Sequence, residues 1–228
     1  MIAHKKTFAT GVALMVAFIV VLVAMFMPLF GGHNGLEYLD SLYNSISKGS
    51  ANYILKAATA AQKFDGRQIE VTLGFKSAEQ ADQMAKQLNA GGALINVNGA
   101  TLKVSADLGK LLANCLADTK LMYDNNGDAI QSKYGIEPRR VLYNWWHACT
   151  LLEEDLNKQE QFKEANAVHT AITKAVEPAY NYFGIQAQNI KERLGVVIFS
   201  LVFYVIYTLW YGFGIMYLFE GWGLRLEH

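Results

Sequence analysis

The sequence predicts a mainly α-helical membrane protein in which two transmembrane helices bracket an extracytoplasmic domain. Residues 194–219 contain no formal charge, and residues 9–30 form a second apolar run. About 20 apolar residues are enough to cross the hydrocarbon core of a bilayer. Residues 31–193, here called the intervening segment, combine helical periodicities with a short strand-like alternation. Together these observations define two spans and a polar domain between them.

The charges of the chain lie mostly in the intervening segment. It carries 17 of the 20 basic and 18 of the 20 acidic residues, so it is close to neutral. A surface of mixed sign lacks the basic patch that a phosphate backbone requires. We therefore expect no nucleic-acid partner. The expected partners are bilayer lipid and other membrane protein subunits, or further copies of this chain.

Basic residues near the ends of the spans predict the orientation. Lys5 and Lys6 precede the first span and Arg225 follows the second. Because positive residues favour the cytoplasmic side, residues 1–8 and 220–228 are expected in the cytoplasm of a bacterium, with the intervening segment outside the inner membrane. The first apolar run exceeds the 7–15 residues of a signal-peptide core, and no small-x-small cleavage site follows it. An uncleaved anchor is therefore expected.

The intervening segment begins with a long predicted helix over residues 36–64. Apolar side chains recur there every three or four residues. Lys48-Gly49-Ser50 is a candidate kink, and Asp65-Gly66 is expected to end the helix.

Residues 67–125 predict a compact α/β unit in the order strand, helix, strand, strand, helix. Residues 69–75 alternate as a half-buried strand, and Ser77 can cap the helix that follows. Asp107 begins the last helix of the unit.

A β-hairpin is predicted within this unit. Asn98-Gly99 between two apolar stretches is a strong signal for a two-residue turn. A turn at these two positions pairs Val97 with Ala100, and it places the apolar side chains of both strands on one face.

Residues 138–193 are predicted to be helical, with Pro138 in the first turn. The polar run 157–161 is a candidate break, and Pro178 is expected to kink or interrupt the chain.

Trp145-Trp146-His147 is the most distinctive cluster of side chains. As a ligand or partner patch, its indoles can stack on a ligand while His147 supplies a hydrogen bond. The alternative, which we favour, places Trp145 in the core, Trp146 at an interface and His147 in solvent.

Cys115 and Cys149 are the two cysteines of the chain. An oxidising compartment permits a disulfide between them, and a pair of buried thiols is the alternative. No CxxC or CxxCH spacing occurs, so thioredoxin-like chemistry and c-type haem lack support.

No catalytic, metal or cofactor site is predicted. Glu153-Glu154-Asp155 point around a helix instead of converging. The acidic run 124–128 fits a calcium loop only with Met122 at the first ligand position, where it cannot ligate. The spans contain no histidine, which excludes bis-histidine haem b within this chain.

The second span has two unlike sides. Hydroxyl-bearing and small side chains share one stripe, and the opposite stripe is wholly apolar. A phenol near mid-span is expected to turn away from lipid towards a hydrogen-bond partner. The first span has a small-residue face but no polar side chain at the matching depth, so we predict contact with a second protein chain. Backbone carbonyls of the first span are the alternative partners. The stripe consists of Ser200, Tyr204, Tyr207, Tyr211 and Gly214. The small-residue face of the first span consists of Thr10, Ala13, Ala17, Val20 and Ala24.

Three functions are compatible with these features. We favour a non-catalytic accessory or assembly subunit of a multi-subunit membrane complex, which presents an extracytoplasmic interaction domain. An extracytoplasmic ligand-binding sensor is the alternative, and it requires a separate signalling partner because only nine residues follow Phe219. An enzyme with an unrecognised site in the α/β unit is the third.

Overall fold

A computed structural model describes residues 2–50 and 52–224 of the chain. Most of these residues are helical, and they include one three-stranded sheet. The chain divides into two compact units: unit 1 comprises Met1–Ile46 and Gln188–His228, and unit 2 comprises Ser47–Ala187. Arg225, one of the residues behind the predicted orientation, lies outside the described residues.

Helices and strands follow one another in the predicted order through residues 67–125. The helices are α1 (Lys5–Phe26), α2 (Gly35–Ser50), α3 (Ile54–Ala61), α4 (Ala78–Ala90), α5 (Leu108–Tyr123), α6 (Gly127–Tyr134), α7 (Pro138–Lys158), α8 (Phe162–Ala171), α9 (Glu177–Tyr182) and α10 (Ile190–Trp222). The strands are β1 (Gln68–Gly74), β2 (Leu94–Asn98) and β3 (Thr101–Asp107). A 3-10 turn, Gln62–Phe64, follows α3, and a π-helical turn, Ile172–Val176, joins α8 to α9.

The two apolar runs form α1 and α10. Over their most apolar 18 residues, the mean hydropathy is 2.7 in α1 and 2.0 in α10, so both helices are long and apolar enough to cross a membrane. α1 ends at Phe26, earlier than the predicted end of the run at Phe30. Met27 is extended, with φ −76° and ψ 147°, because the residue before a proline is pushed out of the helical region.

The helix predicted over residues 36–64 is two helices. Lys48-Gly49-Ser50, the candidate kink, are the last residues of α2, and the helix is interrupted between Ser50 and the start of α3 at Ile54. Glycine and serine are weak helix formers, which favours a break at this point.

The helical region after Pro138 is also divided. The predicted break at 157–161 is present, because α7 ends at Lys158 and Glu160 has a positive φ of 60°. Pro178 is accommodated within the helical path. Its ring would clash with the carbonyl four residues earlier, at Lys174, and that carbonyl belongs to the wider π-helical turn. The helix ends at Tyr182, so the prediction of helix through to residue 193 is wrong for the residues between α9 and α10.

The sheet of unit 2 is antiparallel in the order β1-β3-β2. Val71 of β1 and Ile95 of β2 both lie opposite Val104 of the central strand. One face is buried in the core of unit 2, where α7 packs against β1. The buried side chains of β1 and β3 are Ile69, Val71, Leu73, Leu102, Val104 and Ala106.

The outer edge of β1 is covered by α7. Asp155 accepts a hydrogen bond from the backbone N–H of Thr72 at 3.1 Å, and the Gln159 amide donates to the carbonyl of Glu70 at 2.8 Å. These side chains satisfy backbone groups that a neighbouring strand would otherwise take.

The hairpin is present, but its turn lies one residue beyond the predicted position. Asn98 pairs with Thr101 inside the ladder, so the two turn residues are Gly99 and Ala100. Gly99 has φ +58°, and a positive φ at the first turn position is what a type II′ turn requires of glycine. The predicted pairing of Val97 with Ala100 is therefore wrong, since Val97 lies opposite Leu102. The shift of two residues preserves side-chain parity, so Leu102 and Val104 are buried on the predicted face, whereas Val97 on the same face is 46% exposed.

Candidate interaction sites

Glycines bring α1 and α10 into close contact inside unit 1. A Cβ atom placed on Gly221 would lie 2.5 Å from the Cα atom of Phe8, and one on Gly11 would lie 2.7 Å from the backbone nitrogen of Leu218. On Gly214 it would lie 2.8 Å from the sulfur of Met15. Small residues that allow such close backbone approach are characteristic of helix pairs in membranes.

The small-residue face predicted for α1 does not make this contact. Ala13 and Ala17 are exposed, whereas Gly11 is buried and Phe18 is partly covered. The prediction of that face was wrong because the glycines of α10 leave space for large side chains of α1, so alanines were not needed there.

The structure divides the hydroxyl-bearing stripe of α10 between two sides. Ser200 and Gly214 are buried, and Tyr207 is partly covered. Tyr204 points outward, with 67% of its surface exposed. Tyr211 is 45% exposed, although the centre of its ring also lies 5.2 Å from that of Phe18. Unit 1 therefore uses half of the predicted stripe internally.

The internal half is anchored by ring stacking and by hydrogen bonds. The Tyr207 ring stacks on Phe18 with centroids 4.2 Å apart, and the oxygens of Ser200 and Tyr43 lie 2.6 Å apart. Trp210 donates its indole N–H to the Leu14 carbonyl at 3.1 Å. The buried Tyr207 hydroxyl has no hydrogen-bond partner among the described residues.

The outward half continues into a longer polar stripe. Thr208 lies between Tyr204 and Tyr211 at helical spacing and is also exposed. Its hydroxyl donates to the Tyr204 carbonyl at 2.7 Å. Next to this stripe, a Cβ atom placed on Gly212 would meet no atom within 4 Å. We call Tyr204, Thr208 and Tyr211 the outward stripe.

In unit 2, the three residues of the Trp145-Trp146-His147 cluster face different surroundings. Trp145 is fully buried in the core, as the favoured alternative states, and Trp146 is exposed. His147 is half-buried, with its Nδ1 atom 2.8 Å from the amide nitrogen of Gln80 and its ring against Phe75. Burial lowers the pKa of His147, and the charges of Lys76 and Arg140 act in the same direction.

Trp145 belongs to a buried polar network that the sequence did not predict. Asp118, which is fully buried, accepts hydrogen bonds from the Trp145 indole at 2.9 Å and the Tyr134 hydroxyl at 2.6 Å. The ammonium of Lys133 is 2.7 Å from its other oxygen. Burial, followed by the hydrogen bond to Asp118, raises the pKa of Tyr134. The sequence feature that could have indicated this network is an acid, Asp118, at a position of α5 that faces the core.

Cys115 and Cys149 are neighbours in the same core. Both are buried free thiols. A hydrogen bond with Cys149, together with burial, raises the pKa of Cys115 well above its usual value. Low reactivity follows, because the thiolate is the nucleophilic form.

A groove between α7 and α9 is lined partly by Trp146. Its volume is about 410 Å³, and Trp146 donates its indole N–H across it to Glu177 at 3.1 Å. The other lining residues are Tyr143, Tyr180 and Asn181. We call these five residues the aromatic groove.

Residues 2–50 and 52–224 contain no group of three or more His, Cys, Asp or Glu side chains that could hold a metal ion. Comparison with known proteins adds no assignment: no protein-family model, no curated protein and no solved structure matches the chain.

Proposed function

We propose that the chain is a two-pass membrane protein that acts as a non-catalytic accessory or assembly subunit of a larger membrane complex. Its spans are α1 and α10, the residues that flank them on the side of Lys5 and Lys6 lie in the cytoplasm of a bacterium, and unit 2 lies outside the inner membrane. The length and hydropathy of the two helices support the membrane location. Lys5 and Lys6 before α1 support the orientation.

The outward stripe is the observation that carries the subunit role. Tyr204 is 67% exposed near the middle of α10. A phenol that faces hydrocarbon without a hydrogen-bond partner costs on the order of 1–3 kcal/mol or more. A polar side chain on a helix of another chain removes this cost, so the stripe is explained by a partner helix.

Gly212 supports the same surface. Atoms of the facing helix fill the space beside Gly11, Gly214 and Gly221 in the contact between α1 and α10. The space beside Gly212 is open. Thr208 and Gly212 are four residues apart, which is the spacing of small residues at close helix contacts in membranes. A partner helix can therefore approach the backbone of α10 beside the outward stripe.

Removal of two hydroxyls tests the proposal. In the Tyr204→Phe/Tyr211→Phe double variant, the rings stay and only the hydrogen-bonding groups are lost. We expect reduced recovery of partner protein when the variant is isolated from native membranes in mild detergent. Tyr207→Phe is the matched control, because the hydroxyl of this tyrosine is buried inside unit 1. Equal partner recovery from the double variant and the wild type would contradict the subunit role.

The orientation has its own test. Because Cys115 and Cys149 are buried, new cysteines can be labelled over a low background. We expect Lys163→Cys in unit 2 to react with a membrane-impermeant maleimide in intact spheroplasts. His4→Cys, which keeps Lys5 and Lys6 in place, should react only after lysis, and its labelling in intact spheroplasts would reverse the proposed topology.

A ligand-binding sensor remains the second candidate function, and the aromatic groove is the observation that favours it. Its volume of about 410 Å³ lies in the range of ligand sites, and it is formed within unit 2.

A further inference from the structure

The aromatic groove is built from two facing helices. α7 contributes Tyr143 and Trp146, which are three residues apart, and α9 contributes Glu177, Tyr180 and Asn181 at positions i, i+3 and i+4. Residues at these spacings lie on one side of a helix, so each helix lines the groove with side chains from a single face.

The aromatic part of the groove is accessible. Trp146 and Tyr180 expose 36% and 39% of their surface, and the rings of Tyr143 and Trp146 have centroids 6.0 Å apart at an angle of 32°. The face of an aromatic ring carries negative potential and attracts cations. Arg140 already uses one of these rings in this way, since its guanidinium carbon lies 5.1 Å from the centre of the Tyr143 ring.

Glu177 supplies the only formal charge among the lining residues. Its hydrogen bond from the Trp146 indole fixes the carboxylate beside the aromatic rings. Among the described residues, Glu177 forms no ion pair within 4.0 Å, although Lys174 lies one turn earlier in the chain. The groove therefore combines aromatic faces with a carboxylate that lacks a basic partner.

We propose that the aromatic groove binds an organic ammonium group, with the aromatic rings around its alkyl substituents and Glu177 near its charge. An anionic ligand would meet the carboxylate and the negative ring faces. A neutral apolar ligand would desolvate Glu177 without compensating its charge. An alkylated ammonium suits the site better than a primary one, because a compact ammonium is strongly hydrated. This inference is independent of the subunit role.

Choline binding to the full chain in an uncharged maltoside detergent tests the proposal. Titration is followed by calorimetry and by tryptophan fluorescence, which reports the exposed Trp146. We expect saturable binding of choline. Its uncharged isostere 3,3-dimethylbutan-1-ol should bind at least about tenfold more weakly, because it lacks the charge that the aromatic faces and the carboxylate attract. Equal binding of the two compounds, or no saturable binding of choline, would overturn the proposal.

Variants locate the binding. Glu177→Gln and Trp146→Ala should each weaken choline binding about tenfold or more while the melting temperature stays near that of the wild type, since both side chains are partly exposed. Glu154→Gln is the matched control, because this acid is exposed on α7 outside the groove. Unchanged affinity in both groove variants would place the binding elsewhere and reject the site.

The source of the ammonium is distinguished in a separate arm. Mixed micelles of the same maltoside with phosphatidylcholine are added to the chain after choline has bound. Displacement of choline by these micelles, but not by mixed micelles with phosphatidylglycerol, would assign a lipid headgroup. Retention of choline in both cases would assign a free small molecule.

Discussion

The Trp145 indole N–H donates to the Asp118 carboxylate at 2.9 Å, and both side chains are completely shielded from solvent. Tyr134 and Lys133 complete the coordination of this carboxylate. A buried charge is tolerated only when it is paired and hydrogen-bonded, and Asp118 meets both conditions. The network therefore fixes α5, α6 and α7 in one arrangement.

Loss of the carboxylate should be severely destabilising. We expect Asp118→Ala to lower the free energy of unfolding of unit 2 by about 3–5 kcal/mol, because it leaves the buried Trp145 indole N–H and Tyr134 hydroxyl without an acceptor. Urea unfolding in mild detergent, followed by tryptophan fluorescence, measures the effect. Asp82→Ala is the control, since this exposed acid of α4 should change stability by no more than about 0.5 kcal/mol. Similar losses in the two variants would show that the network is unimportant.

The lowered pKa of His147 makes the stability of unit 2 depend on pH. Burial lowers its pKa from the usual 6.5, so the folded state stays neutral where the unfolded state already takes up a proton. Its contribution to stability is complete above pH 6.5 and is lost as the pH falls through the lowered pKa. The slope is at most about 1.4 kcal/mol per pH unit. The wild type should therefore lose more stability than His147→Gln between pH 7.5 and pH 5. Parallel losses in the two proteins would contradict the assignment.

The position of the hairpin turn can be checked with two valine substitutions. Gly99→Val should destabilise unit 2 by about 1–3 kcal/mol, because a β-branched residue is strained at φ +58°. Asn98→Val should be tolerated, since Asn98 is an exposed strand residue paired with Thr101. If the two variants melt at the same lowered temperature, the turn comprises Asn98 and Gly99 after all.

Close packing of the two apolar helices is tested by adding single methyl groups. Gly221→Ala places a Cβ atom 2.5 Å from the Phe8 Cα and should force α1 and α10 apart. We expect a lower thermal unfolding temperature in detergent, equivalent to about 1–3 kcal/mol. Gly195→Ala lies on the same helix with no atom within 4 Å and should be neutral or slightly stabilising. A neutral Gly221→Ala would mean that the helices do not approach this closely.

Local sequence patterns were sufficient for several elements. Ser77 and Asp107 were predicted as helix starts, and both side chains accept hydrogen bonds from the first turn of the helices they begin. These features depend on residues a few positions apart. The hairpin register needed more information, since Gly99 suits either turn position and both registers bury the same face.

Features that depend on distant residues could not be predicted from local patterns. From the sequence alone, Asp118 is one polar residue in an apolar helix. Its role follows from its contacts with Trp145 and Lys133, which only the folded structure shows. The alanine face of α1 was a plausible contact surface, but the choice of Gly11 depends on where α10 places Gly214 and Gly221. In the aromatic groove, Trp146 is a candidate from the sequence alone. Glu177 lies 31 residues away, and no local pattern relates it to Trp146.

Asp155 and Gln159 bond the outer edge of β1, so a further strand cannot pair with the sheet at that edge. Within the described residues, β3 is paired on both sides and β2 pairs with β3 alone, which leaves the outer edge of β2 for an incoming strand. β2 carries two exposed apolar side chains, Leu94 and Val97, which favour association with another strand. Domain-swapped or aggregated forms of this protein should therefore grow from β2 alone, and a lysine introduced at Leu94 should suppress them while leaving the fold unaltered.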